Sequence, residues 1–210
     1  FGADHAFMPR RELLSFEEIV RLAGVFAGLG VRKLRLTGGE PLIRRDLDKL
    51  IGMLSEVPGI EDISLTTNAS LLTADKARAL KAAGLNRITV SLDGIDDATF
   101  RAMNDVGFPV AKVLEGIENA ERAGLLPIKV NMVVQRGVND HDIVPMAAHF
   151  RGTDHIVRFI EYMDVGNSNG WRLDQVVPSR EVMERIDAHW PLEPAQANYR
   201  GEVATRYLYR

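Results

Sequence analysis

Five times along the chain a short apolar or alternating run alternates with a helical pattern. This recurrence is the tightest constraint on the fold, because strands and helices that alternate at this spacing build βα units around a parallel sheet. Strands are predicted over Lys33–Thr37, Ile60–Thr66, Leu85–Leu92, Ile128–Val134 and His155–Tyr162. The helices carry their own start and stop signals. Ser15 and Glu18 form a capping box; Ile19, Leu22, Ala23, Phe26 and Leu29 follow at helical spacing; Gly30 ends the run. Asp46 is expected to cap a helix to about Leu54, Thr73 one that stops before Gly84, and Asp96 one that carries Phe100 and Met103. Further helices are predicted over Val110–Ala123, from about Asp140 to Phe150, and from a Ser179 cap to about His189. A (βα) barrel and an open doubly wound sheet both fit this periodicity. In either, ligands meet the C-terminal ends of the strands.

Several classes of function fall away on composition. The 210 residues contain no cysteine, so disulfides, thiolate zinc sites, cysteine nucleophiles and cysteine-ligated iron–sulfur clusters are excluded within them. Net charge is −3, from 26 basic and 29 acidic residues, so no strong field draws the chain to nucleic acid or to a membrane surface. No apolar run is long enough to span a bilayer, and no leader is visible, which sets the expectation of a cytoplasmic protein. The chain opens on Phe1 and closes on a strand-like run, Thr205–Arg210, so both ends are expected to be cut from a longer protein. From Gly166 the pattern changes to a polar loop, Gly166 to Gly170. Residues 1–165 are therefore expected to form the main unit and 166–210 the start of an extension.

The strands carry unusual chemistry. In Lys33-Leu-Arg-Leu-Thr37, a period of two puts Lys33, Arg35 and Thr37 on one face and Leu34 and Leu36 on the other. A structural parallel strand would be nearly all aliphatic. Lys129 and Asn131 share a face of the fourth strand, Arg158 and Glu161 lie on the fifth, and Thr66, Ser91 and Asp93 are polar at strand ends. Cations on three strands point to a polyanion such as a triphosphate, if they face inward, where an unpaired charge is costly. Gly38-Gly39-Glu40-Pro41 follows the first strand: two glycines let the backbone turn close to a ligand, and their carbonyls with the Glu40 carboxylate form an acceptor cluster suited to an ammonium group. Asp93 is the strand-end carboxylate most suited to a site, and the Met163 thioether suits an adenine face. The five histidines show no metal-ligand spacing, so no metal site is expected within these residues.

The run from Lys33 to Asp46, with Leu65-Thr-Thr-Asn68, Val90-Ser-Leu-Asp93, Ile128-Lys-Val-Asn131, Gly137-Val-Asn-Asp140, Arg158 to Gly166, Asn169-Gly-Trp171 and Gly201-Glu-Val-Ala204, resembles the radical S-adenosylmethionine enzymes, and more narrowly the MoaA family of GTP 3′,8-cyclases. The resemblance implies an incomplete (βα)6 TIM-like barrel over residues 1–165, lacking its first strand and cluster loop, with residues 166–210 leading into a C-terminal extension. It implies S-adenosylmethionine at Gly38, Gly39, Glu40, Ser91, Asp93 and Met163, and GTP at Lys33, Arg35, Thr66, Lys129, Asn131 and Arg158. It further implies two [4Fe–4S] clusters, with cysteine motifs before Phe1 and after Arg210. The chemistry so implied is cleavage of S-adenosylmethionine to a 5′-deoxyadenosyl radical, removal of the ribose 3′ hydrogen, and attack of C3′ on guanine C8. That is the first step of molybdenum cofactor synthesis. GTP and the next enzyme of that pathway are the implied partners, a homodimer is an open option, and residues 1–210 alone are expected to be inactive. Ala69 stands where the family usually has Gly. Two other readings are a radical enzyme that acts on a peptide and a nucleotide-binding module without catalysis.

Overall fold

The computed structural model describes residues 9, 12–104, 107–165, 170–197 and 202–210. The polar loop over 166–169 and Gly201 lie outside the described residues. In chain order the elements are α1 (Phe16–Gly28), β1 (Lys33–Leu36), α2 (Leu47–Ser55), β2 (Asp62–Thr67), α3 (Ala74–Ala82), β3 (Arg87–Ser91), α4 (Asp97–Met103), α5 (Val110–Arg122), β4 (Lys129–Val134), α6 (Ile143–Phe150), β5 (Ile156–Glu161), α7 (Ser179–Asp187), β6 (Leu192–Ala195) and β7 (Arg206–Tyr209). Strands β1 to β5 form one sheet in sequence order, and β6 pairs with β7 in a separate antiparallel ribbon. β1 pairs with β2, β2 with β3 and β3 with β4, all in parallel. The fold is therefore α/β with a five-stranded parallel sheet, as the βα recurrence requires. Among the described residues no helix is long and apolar enough to cross a membrane.

Helix starts follow local chemistry where the partner is local. Ser15 accepts from the Glu18 N–H and its own N–H donates to the Glu18 carboxylate, the capping box expected of that tetrapeptide. Thr73 accepts from Lys76 N–H, and Asp96 accepts from Ala98 and Thr99. Two expected caps differ. Asp46 occupies the cap position of α2 in a left-handed conformation, and its carboxylate pairs with Lys49 at 3.3 Å instead of the helix N–H groups. Pro178, not Ser179, precedes α7; both the N–H and the hydroxyl of Ser179 donate to Glu161. On α1, Ala23 and Ala27 are buried and Phe16, Ile19 and Val20 half-buried, whereas Leu22 and Phe26, and Leu29 just past the helix, are exposed.

The residues group into two compact units. Among the described residues the first comprises 9, 12–92, 107–131 and 154–156. Its core is the aliphatic set Ile63, Leu65, Ile88, Val90 and Val130 of the sheet, with Leu50, Ile51 and Leu54 of α2, Ala77 and Leu80 of α3, and Val113, Ile117 and Ala120 of α5. The second comprises 93–104, 132–153, 157–165, 170–197 and 202–210. There Ile143, Met146 and Phe150 of α6 are buried, as are Val182 and Ile186 of α7. An ion-pair chain fastens the turn after β4 to α7: Arg136 grips Glu181 at 2.7 Å, and Arg185 joins Glu181 at 2.5 Å to Asp140 at 3.1 Å. The two guanidiniums, Arg136 foremost, hold the Glu181 carboxyl down to about 2.

Candidate functional site

Register decides which side chains share a surface. Lys33 pairs with Asp62, Arg35 with Ser64, Ser64 with Arg87, Thr66 with Thr89, Thr89 with Lys129, and Ser91 with Asn131. Because alternate residues point the same way, all of these lie on one face of the first unit's sheet. The opposite face carries Leu34, Leu36, Ile63, Leu65, Ile88, Val90 and Val130. The sheet thus has one aliphatic face and one face almost wholly polar. Five residues expected to meet GTP (Lys33, Arg35, Thr66, Lys129 and Asn131) are brought together on that polar face, along with Ser91. Arg158 lies on β5 within the second unit.

Burial on this face is uneven. Lys33 and Arg35 are exposed, because β1 is an edge strand of the sheet. The expectation that they are buried cations is corrected: they sit in high dielectric, and the cost of an unpaired buried charge does not bear on them. Deeper in the sheet the situation changes. Thr66 Oγ1 and Asn131 Oδ1 are buried and have no hydrogen-bond partner. An unmet buried polar atom costs about 1–3 kcal/mol, so each is an atom that a hydrogen-bonding partner would stabilise. Thr66 can donate or accept there, and Asn131 Oδ1 accepts.

The turn after β1 is built around Glu40. Its Oε1 accepts from Leu42 N–H at 2.8 Å and from the Thr67 hydroxyl at 2.6 Å, and its Oε2 accepts from Asn68 N–H at 2.7 Å. The carboxylate expected to face an ammonium group therefore ties the turn to the end of β2. This leaves the backbone of Gly38 and Gly39 as the exposed part of the turn. Neither glycine is left-handed, and a Cβ added at Gly38 would meet nothing within 4 Å. Open space beside exposed backbone is what close approach of a ligand requires.

In the second unit, Asp93 Oδ1 accepts from Val133 N–H at 2.7 Å, and the Asn139 amide donates to the carbonyls of both Asp93 and Val133. Burial pushes the Asp93 carboxyl up to about 6, and the Val133 hydrogen bond opposes this only in part. Met163 is half exposed and lines an apolar cavity of about 370 Å³ with Ala102, Met103, Val133, Gln135, Tyr162 and Val165. Sequence spacing did not disclose that His141 stands beside two carboxylates: ligand atoms of Asp96, His141 and Asp142 lie within 4.8 Å of one another. Local work accounts for these groups. Asp96 caps α4, Asp142 accepts from Ile95 N–H, and His141 Nε2 meets the Thr99 hydroxyl at 3.0 Å.

The radical SAM superfamily model matches residues 2–150, and the chain belongs to that superfamily. Among curated relatives it is similar to proteins named GTP 3′,8-cyclase. That of Acidothermus cellulolyticus is 55% identical over 210 residues, covering 100% of this chain and 58% of the relative. That of Xanthomonas axonopodis pv. citri is 53% identical over 98% of this chain and 61% of the relative, and that of Staphylococcus saprophyticus 50% identical over 100% and 61%. The chain thus spans about three-fifths of the length of these relatives. Solved structures share the fold at low identity. They include anSMEcpe with bound AdoMet (TM-score 0.66, 16% identity, 85% of this chain and 49% of that one) and methylornithine synthase, PylB (0.61, 16%, 83% and 52%). Superfamily membership implies S-adenosylmethionine and an iron–sulfur cluster. With no cysteine in its 210 residues, this stretch contributes no thiolate to such a cluster. It does fit S-adenosylmethionine in one respect: the open exposed turn at Gly38 leaves room for a ligand against the backbone.

Proposed function

We propose that this chain is the barrel core of a GTP 3′,8-cyclase, acting in the first step of molybdenum cofactor synthesis. The observation that carries the reading is identity of 50–55% over essentially the whole chain to three relatives of that name. The polar sheet face supplies what such a substrate needs. Arg35 offers a planar fork and Lys33 and Lys129 offer point charges to a triphosphate, and Thr66 and Asn131 bring buried atoms that lack partners. Arg158, on β5, is a further cation assigned to GTP by the family resemblance. S-adenosylmethionine is assigned to the exposed Gly38-Gly39 backbone with Glu40 behind it, to Ser91 and Asp93, and to the Met163 region. When bound, it supplies the radical that opens the reaction. This chain's own residues bind, orient and exclude water. Residues 166–210 lead into the extension, and the thiolates of two [4Fe–4S] clusters come from outside residues 1–210. The reading carries with it a cytoplasmic setting and the next enzyme of the pathway as recipient of the product.

Calorimetric titration of the full-length protein tests the assignment. Lys129→Ala should weaken GTP by about 1.5–3 kcal/mol, the worth of a hydrogen bond to a charged group, and leave S-adenosylmethionine within twofold. Absence of GTP binding to the unaltered protein, or equal weakening of both ligands, would contradict it.

A further inference from the structure

The polar face holds one charged pair that the nucleotide assignment above does not use. Arg87 Nη1 meets Asp62 Oδ2 at 2.6 Å, with side chains only 28% and 13% exposed. Both belong to the first unit, and both lie on the face that carries Lys33, Arg35 and Lys129. Register places Arg35, Ser64 and Arg87 side by side on β1, β2 and β3. Two guanidinium-bearing side chains therefore flank one small hydroxyl. Ser64 is itself buried, and its hydroxyl donates to the Leu34 carbonyl. Strands are about 4.8 Å apart, which sets the two arginine backbones about 10 Å apart, a span that two long side chains close around an anion. The pairing with Asp62 engages one nitrogen of Arg87 and leaves the other guanidinium donors for a second acceptor. Along the strands the cations form successive rows: Lys33 first, Arg35 and Arg87 two residues on, and Lys129 two residues beyond. Each step is about 6.6 Å.

We propose that Arg87 is a further phosphate-binding residue of the nucleotide site, aimed by Asp62, and that with Arg35 it clasps an outer phosphate, β or γ, of a nucleoside triphosphate across Ser64. This rests on the reading of the polar face as the GTP site. Asp62 acts through Arg87 and is a positioning residue.

The test uses the full-length protein and measures binding of GTP, GMP and S-adenosylmethionine together with the melting temperature. Since removing Arg87 alone strands a partly buried carboxylate, the main variant is Asp62→Asn with Arg87→Gln, which keeps a neutral hydrogen-bonded pair. GTP should weaken roughly ten- to hundredfold, the loss expected for a charged hydrogen bond, while GMP and S-adenosylmethionine stay within twofold. Arg87→Lys, which keeps the charge and loses the fork, should fall between the two and serves alone if the double variant does not fold. Equal loss for GTP and GMP, or unchanged GTP affinity in a folded variant, overturns the proposal. Failure of the unaltered protein to bind GTP instead overturns the reading on which it rests.

Discussion

Gly116, in the middle of α5, is the point where helix packing and the turn after β2 meet most closely. A Cβ at this position would lie 2.3 Å from the Ala69 carbonyl oxygen and 2.9 Å from the Ala69 Cβ. Two effects oppose each other in Gly116→Ala. Helix propensity favours alanine by about 1 kcal/mol. Overpacking a filled site costs about 1–3 kcal/mol, and here the obstacle is backbone, which cannot swing aside, so the upper end applies. The expected net loss is about 2 kcal/mol. Ala69 is left-handed, at φ 57°, and its N–H donates to Thr67 Oγ1, whose hydroxyl donates in turn to Glu40. A shift at Ala69 therefore reaches the Gly38–Glu40 turn, and S-adenosylmethionine binding should weaken along with stability. The companion change Ala69→Gly removes a strain of about 1–2 kcal/mol against an entropic cost of about 0.5–1 kcal/mol, so it should be neutral or stabilising by up to about 1.5 kcal/mol. It should rescue Gly116→Ala poorly, since the shortest approach is to the carbonyl. Urea unfolding of the parent, both single variants and the double variant measures all three terms. A Gly116→Ala protein more stable than the parent would refute the close approach.

Two further outcomes follow from the hydrogen bonds. Glu40→Gln replaces one of two acceptor oxygens with a donor amide facing Leu42, Thr67 or Asn68, so it should cost about 1–3 kcal/mol and weaken S-adenosylmethionine; unchanged stability by urea unfolding would show that the turn does not depend on the carboxylate. Asp93 has a folded pKa raised from 3.8 to about 6 by burial, so the folded chain holds that proton more tightly than the unfolded one. Its contribution to stability should therefore fall as pH rises from 3.8 to 6 and stay level above. Asp93→Asn should remove that slope, and urea midpoints that retain it would show another group to be responsible.

Much of this was legible in the residues because it depends on near neighbours. Period-two alternation put Lys33 and Arg35 together, and register carried the same face on through Thr66, Lys129 and Asn131. The Ser15–Glu18, Thr73 and Asp96 caps needed only partners two or three residues away. What escaped depends on distance or on strand position. The side chain of Asp46 went to Lys49, and Ser179 went to Glu161, 18 residues back, which no local pattern encodes. Exposure of Arg35 follows from the edge position of β1, and the meeting of Asp96 with His141 follows from a loop closure. The Asp62–Arg87 pair could have been found: Asp62-Ser64-Thr66 and Arg87-Thr89-Ser91 repeat the polar alternation that drew attention to β1.

The two-sided character of β1 to β4 makes these strands unusually intolerant of a length change. Inserting or deleting a single residue at the start of β2 would turn Ile63 and Leu65 onto the polar face and Ser64 and Thr66 onto the aliphatic one, inverting every downstream position of the strand at once. Point substitutions can retune one side while the other stands. An indel of one cannot, so variation in chain length among such proteins should collect in the connecting loops.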